Sequence, residues 1–401
     1  MANQNKHALV SHQPLRLFFQ LSYVAVVILR LPYYVVVSLI PALRPNRKWS
    51  AKQTFMTRIT YPFLDAVSRV GITETLTLEP GKEGKRFQTV PVSTKDVYKG
   101  PLVSQTVKPA KIGGTWFPDT PGRDMSSKTI VFYFHGGAFV QGDGRTEQCG
   151  PIAKYFLKKG SADAVFSLQY RLSGHGGMNP FPAALQDALS GYLYLLDDLS
   201  IPPTQIIFAG DSAGAALATV LLRYLHEFGS AIHVGNPKCA VLLSPWVEPF
   251  YYNAADNPHR GTEFIPGTYG GKFLSLSLFF FNLQRTLASY IPQRRQLTKQ
   301  AWGAHTYAGN CSNPNADPYI TVLGNPFPTP VPMFVNAGSA ELFFERITQW
   351  AAEMRGVEGN VVELHNEDGA VHDTFFVGEM MGFEKSAWEV AAKVAEFIHK
   401  L

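Results

Sequence analysis

Apolar strand patterns alternate with helix patterns from Thr129 to the end of the chain, and this alternation constrains the fold more than any other feature. Short apolar runs are typical of strands covered on both faces, and here they read TIVFYF, AVFSLQY, IIFAG, AVLLSPW, MFVNAG and VVELH. Helix patterns separate them at residues 152–159, 183–196, after Ser212, 342–354 and 386–399. This order predicts an α/β fold with a mainly parallel, doubly wound sheet.

Composition narrows the classes of function. The net charge of +5 is small for 401 residues, and Lys and Arg are scattered, so we expect no nucleic-acid partner. Three cysteines, Cys149, Cys239 and Cys311, cannot all pair within one chain, which argues against a disulfide framework. Because no Cys/His spacing typical of a metal site and no nucleotide-binding glycine motif occurs, we expect neither a metal nor another cofactor.

A single serine lies where the IIFAG strand gives way to a helix. Gly210 and Gly214 flank Ser212 in the G-x-S-x-G spacing, in which the missing side chains permit a sharp turn that exposes the hydroxyl. This is the position of a nucleophile, although a Gly/Ser-rich turn before a helix gives the same five letters by chance. We expect Ala213 to contribute its N–H group and Asp211 to brace the loop.

A second glycine motif, HGGAF, follows the TIVFYF strand directly. Glycines just beyond a buried strand let backbone N–H groups face a ligand, as an oxyanion hole requires. We therefore predict Gly136, Gly137 and Ala213 as the oxyanion-hole donors, with His135 in a supporting role. Another HGG, residues 175–177, lies in a glycine-rich loop and is interpreted as a turn.

Three blocks together resemble the hormone-sensitive-lipase-like branch of the α/β-hydrolases, which includes arylacetamide-deacetylase-like esterases. They are HGGAF, YRLSGHGGMNPFPAALQDAL and GDSAGAALA, and the resemblance extends over about residues 128–401. One departure is Ala138, which stands where the family usually has a third glycine and reduces the freedom to adopt a positive φ. The resemblance implies an α/β-hydrolase fold and a Ser-His-acid triad.

The family order places the acid and the base after the serine. GSAELFFER follows the MFVNAG strand and resembles the family's acid loop with glutamate in place of aspartate, which makes Glu341 the predicted acid. Asp368 is the alternative, and Glu345 lies one helical turn beyond Glu341. His372, in EDGAVHDTFF, is the predicted base, whereas His365 lies in a strand pattern and is interpreted as structural.

Two classes of function fit these residues. The first is a serine carboxylic-ester hydrolase that forms an acyl-enzyme on Ser212 and acts on an apolar ester, with amide or thioester cleavage as variants. The second is a non-catalytic small-molecule receptor on the same fold. Because all three triad positions are filled, the sequence favours the enzyme.

The domain organisation follows from the resemblance and from two irregular regions. Residues 45–127 are predicted to form an N-terminal cap with leading strands, and residues 128–401 the α/β-hydrolase catalytic domain. Within that domain the alternation stops at about residues 248–315, and this Tyr- and Phe-rich insertion, which includes KFLSLSLFFFNL, is predicted to form part of the cap.

Residues 1–44 form an apolar N-terminal segment. LFFQLSYVAVVIL and LPYYVVVSLIPAL flank Arg30, and together they are long enough to cross a bilayer, although neither is alone. We expect an anchor that spans with the arginine sheltered, or an interfacial helix pair kinked near Pro32; the alternative is a segment that covers the mouth of a soluble domain. Membrane association is therefore expected, with the endoplasmic reticulum as a candidate location and the cytoplasm as the alternative. The oligomeric state stays open.

Overall fold

The computed structural model describes residues 7–120, 122, 125–159, 161–251, 257–266 and 302–401. Its centre is an eight-stranded sheet of order β1-β2-β4-β3-β5-β6-β7-β8. The strands are β1 Phe87–Val90, β2 Ile112–Phe117, β3 Ile130–Phe134, β4 Ala164–Gln169, β5 Ile206–Asp211, β6 Cys239–Leu243, β7 Met333–Gly338 and β8 Val362–Glu367. The six strands from β3 to β8 run parallel, whereas β1 and β2 pair antiparallel at one edge.

The α-helices of the described ranges are α1 Leu15–Leu39, α2 Ala51–Val70, α3 Thr146–Lys158, α4 Ala183–Leu193, α5 Ala213–Ile232, α6 Trp302–Ala308, α7 Phe344–Arg355, α8 Thr374–Met381 and α9 Glu384–His399. Side chains from alternate positions of β3 and β5 enter two different apolar cores, one on each face of the sheet. The mainly parallel α/β sheet predicted from the strand–helix alternation is therefore confirmed.

The glycines of β2 are explained by packing. A Cβ at Gly113 would come within 2.2 Å of the Phe87 ring, and one at Gly114 within 2.3 Å of the Phe166 ring. Large aromatic rings from the two neighbouring strands thus occupy the space that side chains on β2 would need. The packing of β1, β2 and β4 therefore requires glycine at both positions of β2.

The region predicted to form the cap is described in part. Helices α1 and α2 pack against each other, and α2 also contacts α8. The predicted insertion is described at residues 248–251, at 257–266 and from α6 onward, whereas KFLSLSLFFFNL lies outside the described residues. The apolar segment predicted at the N-terminus forms one helix, α1, that continues through Pro32 instead of a helix pair.

Candidate active site

The turn between β5 and α5 holds Ser212 in a backbone conformation that few residues adopt. Its φ of 49° and ψ of −116° lie in a sparsely populated region, which costs about 1–3 kcal/mol and occurs mainly at functional sites. A Cβ at Gly210 would lie 2.6 Å from the Gly214 carbonyl carbon, and one at Gly214 would lie 2.0 Å from the Phe134 oxygen. Both flanking glycines are therefore required by close backbone approach.

The acid and base predicted from sequence lie together. The Glu341 carboxylate contacts His372 Nδ1 at 2.5 Å through Oε2, and both side chains are buried. Oε1 of Glu341 accepts hydrogen bonds from the Gly338 N–H at 2.9 Å and from the Ser244 hydroxyl at 3.2 Å. These bonds fix the carboxylate at the end of β7 with one oxygen facing the imidazole.

The alternative acids lie elsewhere. Asp368 pairs with Lys48 at 2.7 Å on the surface, and its side chain is 76% exposed. Glu345 is also at the surface, where it contacts His259. His365, on β8, lies against the Phe334 ring. The structure thus brings only Glu341, among the acids considered, to His372.

The electrostatics of His372 reflect two opposing effects. Burial alone lowers the pKa of the imidazole, but the charge of Glu341 and its hydrogen bond outweigh burial and leave the pKa of His372 raised. The other ring nitrogen, Nε2, is buried and has no hydrogen-bond partner in the described part of the chain. An imidazole fixed by a carboxylate at Nδ1 can exchange a proton at Nε2.

Ser212 and His372 line the same pocket, whose volume is about 140 Å³. Its walls are largely apolar and come from the cap as well as the main domain, with Leu64 of α2, Trp246, Phe264, Ile265, Leu342 and Val377 among them. Gly137 and Ala138 also line it. The pocket can therefore accept an apolar group next to the serine.

The loop after β3 corrects one predicted donor. The Gly136 N–H donates to Asp211 Oδ1 at 2.8 Å, so it is not available to an oxyanion. The N–H groups of Gly137 and Ala138 have no acceptor among the described residues, and Ala213 opens α5, where a helix leaves N–H groups free. Gly137, Ala138 and Ala213 are therefore the candidates for oxyanion-hole donors, with Ala138 in place of Gly136.

Asp211 and His135 support this loop. Asp211 Oδ1 also accepts a hydrogen bond from the Tyr133 hydroxyl. His135 is buried against the Tyr170 ring at a centroid distance of 4.2 Å, and its Nδ1 contacts the Gly136 carbonyl at 2.7 Å. Burial lowers the pKa of His135, so the imidazole is neutral at pH 7 and packs against its neighbours in the core.

The second HGG lies in a turn closed by the Gly174–Met178 bridge.

Ala138 adopts the left-handed conformation despite its side chain, with φ of 54°. Gly303 of α6 faces it, since a Cβ at Gly303 would come within 2.8 Å of the Ala138 Cβ and 2.7 Å of its oxygen. The methyl group that replaces the family's third glycine is thus accommodated by a glycine in the cap. The alanine at position 138 is evident from the sequence, whereas its contact with Gly303 is evident only from the structure.

Glu263 lies near the triad residues and belongs to no recognisable sequence motif. It is buried, and it accepts hydrogen bonds from the N–H groups of Phe264 and Ile265 through Oε1 and from Leu342 through Oε2. Burial raises the pKa of this carboxyl, and the charge of His372 opposes that effect. Glu263 therefore ties a pocket wall to the loop that carries Glu341.

No group of three or more His, Cys, Asp or Glu side chains is arranged to hold a metal ion in the described ranges.

Comparison with known proteins finds relatives among hydrolases of the same fold. A family model described as "alpha/beta hydrolase fold" matches residues 131–269. The acetyl-hydrolase of Streptomyces hygroscopicus is 33% identical over 138 residues, which are 34% of this chain and 42% of that protein. Human arylacetamide deacetylase-like 2 is 28% identical over 38% of each chain. Residues 131–269 therefore form part of an α/β-hydrolase domain, and the chain is similar to acetyl-hydrolases and to an arylacetamide-deacetylase-like protein.

Solved structures agree with this fold. A hormone-sensitive lipase from a metagenome library matches this α/β-hydrolase with a TM-score of 0.51 and 23% identity, over 72% of this chain and 82% of the other. The esterase EstE5 matches with a TM-score of 0.56 and 17% identity, over 87% and 98% of the two chains. The chain spans less than half the length of the first curated relatives it matches. These comparisons therefore show the α/β-hydrolase fold.

Proposed function

We propose that this protein is a serine carboxylic-ester hydrolase with a Ser212-His372-Glu341 triad. The observation that carries the proposal is the Glu341–His372 contact at 2.5 Å, in a pocket that Ser212 and His372 share. The proposal is supported by relatives named acetyl-hydrolase and esterase. It is also supported by Gly137 and Ala138, which line the pocket with Ser212 and whose N–H groups have no acceptor among the described residues, and by the N–H group of Ala213 at the start of α5.

In the proposed reaction the Ser212 hydroxyl attacks the ester carbonyl carbon while His372 Nε2 takes its proton. The carbonyl oxygen becomes an oxyanion, and the N–H groups of the oxyanion hole stabilise it. His372 then returns the proton to the departing alcohol as the ester C–O bond breaks. Water, deprotonated by His372, cleaves the acyl-serine and restores the hydroxyl. Glu341 holds the imidazole in the required tautomer.

The substrate proposed is an apolar ester, because the described pocket walls are dominated by aliphatic and aromatic side chains. Cleavage of an amide or thioester uses the same residues and remains a variant of the proposal. A ligand-binding receptor is the alternative, and it would need no turnover. The filled triad and the free Nε2 of His372 argue for turnover.

A series of p-nitrophenyl esters of increasing chain length tests the proposal on the wild type and on Ser212→Ala. The wild type should hydrolyse at least one ester, and the variant should lose at least about 10³-fold in kcat. A labelled fluorophosphonate should attach to the wild type but not to Ser212→Ala. Tight binding of esters without turnover or labelling would instead support the receptor.

Membrane association is the second part of the proposal. Helix α1 is long and apolar enough to cross a membrane by length and composition, and only 17% of its most apolar window is buried. We propose that this segment holds the protein at a membrane, with the endoplasmic reticulum as a candidate location. Fractionation of the full chain and of a form beginning near Arg44 tests this, because only the full chain should sediment with membranes.

A further inference from the structure

Helix α1 has the reverse of the polarity expected for a surface helix. Both of its charged residues, Arg16 and Arg30, lie partly buried on the inner face, where Tyr23 is also partly buried and Ser38 is buried, whereas the polar residues Gln20 and Ser22 are exposed. The outer face exposes eleven large apolar side chains: Leu15, Leu17, Phe18, Leu21, Val24, Ile28, Leu29, Tyr33, Val35, Val36 and Leu39. Soluble monomers rarely expose contiguous apolar patches beyond a few hundred Å². This outer face therefore requires an apolar partner.

The opposite face of α1 packs against α2, and hydrogen bonds connect the two helices or the segments that flank them. The Ser11 hydroxyl donates to the Val70 carbonyl at 2.5 Å, and the Tyr23 hydroxyl donates to Asp65 at 2.6 Å. At the other end, Arg44 donates to the Trp49 carbonyl at 2.6 Å. The two helices thus form an antiparallel hairpin, and a helix that crossed a bilayer would have to leave α2.

Helix α2 is in turn anchored to the catalytic domain. The Trp49 indole N–H donates to the Gly369 carbonyl at 2.6 Å, and Gln53 donates to the Gly382 carbonyl at 3.0 Å. Leu64 of α2 lines the pocket that contains Ser212. One side of the hairpin therefore belongs to the active site, and the large apolar side chains that the hairpin exposes lie mostly on the outer face of α1, with Phe63 the one exposed on α2.

The charge of this region points to the chemistry of that partner. Residues 1–64 contain eight Lys and Arg residues and no Asp or Glu. Cationic segments with an apolar face bind at the surface of anionic bilayers, where the apolar face enters the boundary between headgroups and acyl chains. A protein partner would need apolar contacts but no such one-sided charge. The segment matches an anionic lipid surface.

We propose that α1 lies in the plane of a lipid bilayer with its outer face immersed, and does not span it. Arg30 then stays on the protein side, so the cost of a charge in the hydrocarbon does not arise. This deepens the membrane association proposed above by specifying its geometry. It also places Leu64 and the pocket one helix away from the lipid, from which an apolar ester could enter.

Vesicle flotation with the full chain tests the surface. The variant Leu21→Glu/Ile28→Glu charges the outer face, and Val103→Glu/Val361→Glu is the matched control, because both of its positions are exposed apolar residues away from α1. With phosphatidylcholine vesicles containing phosphatidylserine, the outer-face variant should bind about tenfold or more weakly than the wild type. The control should bind as the wild type does. Equal binding by all three would overturn the proposal.

Labelling from one side of a sealed membrane tests the geometry. Leu9→Cys and Leu43→Cys place thiols near the two ends of α1, in a background with Cys311→Ser, since Cys149 and Cys239 are buried. In sealed microsomes a membrane-impermeant maleimide should label both positions or neither. Labelling of only one would show a spanning helix and overturn the proposal.

Two further readouts separate the possible failures. A dimer that buries the outer face and does not bind vesicles, detected by light scattering, would overturn the proposal in favour of a second copy of the chain. Hydrolysis of a soluble p-nitrophenyl ester should be equal in the outer-face variant, its control and the wild type. That rate tests the proposed chemistry independently, because vesicle binding is measured whether or not the ester is hydrolysed.

Discussion

The replacement Glu341→Gln should remove most of the activity because of how the two carboxylate oxygens are used. One oxygen accepts from the Gly338 N–H and the other contacts His372 Nδ1. A backbone N–H can only donate, whereas an imidazole can change tautomer, so the amide oxygen should stay with Gly338. The new NH₂ group then faces Nδ1 as a donor, and the imidazole proton moves to Nε2. In that tautomer His372 cannot accept the serine proton.

The expected loss is large. The corresponding amide substitution in another Ser-His-acid triad lowers kcat by about 10⁴-fold, or roughly 5.5 kcal/mol of transition-state stabilisation. The variant Glu341→Asp keeps the charge but withdraws the carboxylate by about 1.5 Å, one carbon–carbon bond, and should recover part of the loss. Asp368→Asn is the matched control. Its salt bridge with Lys48 is exposed, so the replacement should leave kcat within about twofold.

The assay is kcat and kcat/KM for a soluble p-nitrophenyl ester between pH 5 and about 9, a range that includes the ordinary histidine pKa. Glu341 raises the pKa of His372, so loss of the charge should move the acidic limb of residual activity to lower pH. The order of kcat should be wild type and Asp368→Asn, then Glu341→Asp, then Glu341→Gln. A Glu341→Gln enzyme within tenfold of the wild type, or an Asp368→Asn enzyme as impaired as Glu341→Gln, would refute the assignment.

Three other substitutions test the surroundings of the triad. Gly303→Ala should lower kcat at least about tenfold, because its new methyl group would press on the loop that carries Ala138. Adding Ala138→Gly should restore only part of the lost kcat, because the contact with the backbone oxygen of residue 138 remains. Ester kinetics on the single and double variants measure both effects. Glu263→Gln sets an amide NH₂ against the Leu342 N–H, so thermal or urea unfolding should show a loss of about 1–3 kcal/mol, and an unchanged stability would contradict the contact. Gly137→Ala should abolish hydrolysis with the protein still folded, as judged by circular dichroism, because its Cβ would meet the Gln141 oxygen at 2.3 Å.

The parts of this molecule that could be read from the sequence are those specified by local pattern. The strands of the parallel sheet are continuous apolar runs, and the turn at Ser212 requires two glycines at fixed spacing. The antiparallel edge was harder to specify, since β2 begins with Ile-Gly-Gly, and glycines weaken a strand unless rings from its neighbours cover them. That information lies in Phe87 and Phe166, which are distant along the chain.

In the site, too, some features follow from local sequence pattern and others from contacts between distant segments. The order of serine, acid and histidine follows a family pattern, but the pattern cannot say which N–H groups are already engaged. Gly136 was wrong as an oxyanion donor because Asp211, 75 residues later in the chain, takes its N–H. Glu263 escaped notice because a lone carboxylate in an insertion has no signature until its three backbone partners are known. Contacts between distant segments decide both cases.

The bond between Asp211 and the Gly136 N–H has a consequence for how the site fluctuates. Asp211 immediately precedes Ser212, and Gly136 immediately precedes Gly137, so one carboxylate joins the segment bearing the hydroxyl to the segment bearing the N–H groups. Tyr133, near the end of β3, donates a hydrogen bond to the same carboxylate. Thermal motion should therefore displace the two segments in concert. The distance between the Ser212 hydroxyl and the Gly137 N–H group would then vary less than the position of either segment in the fold.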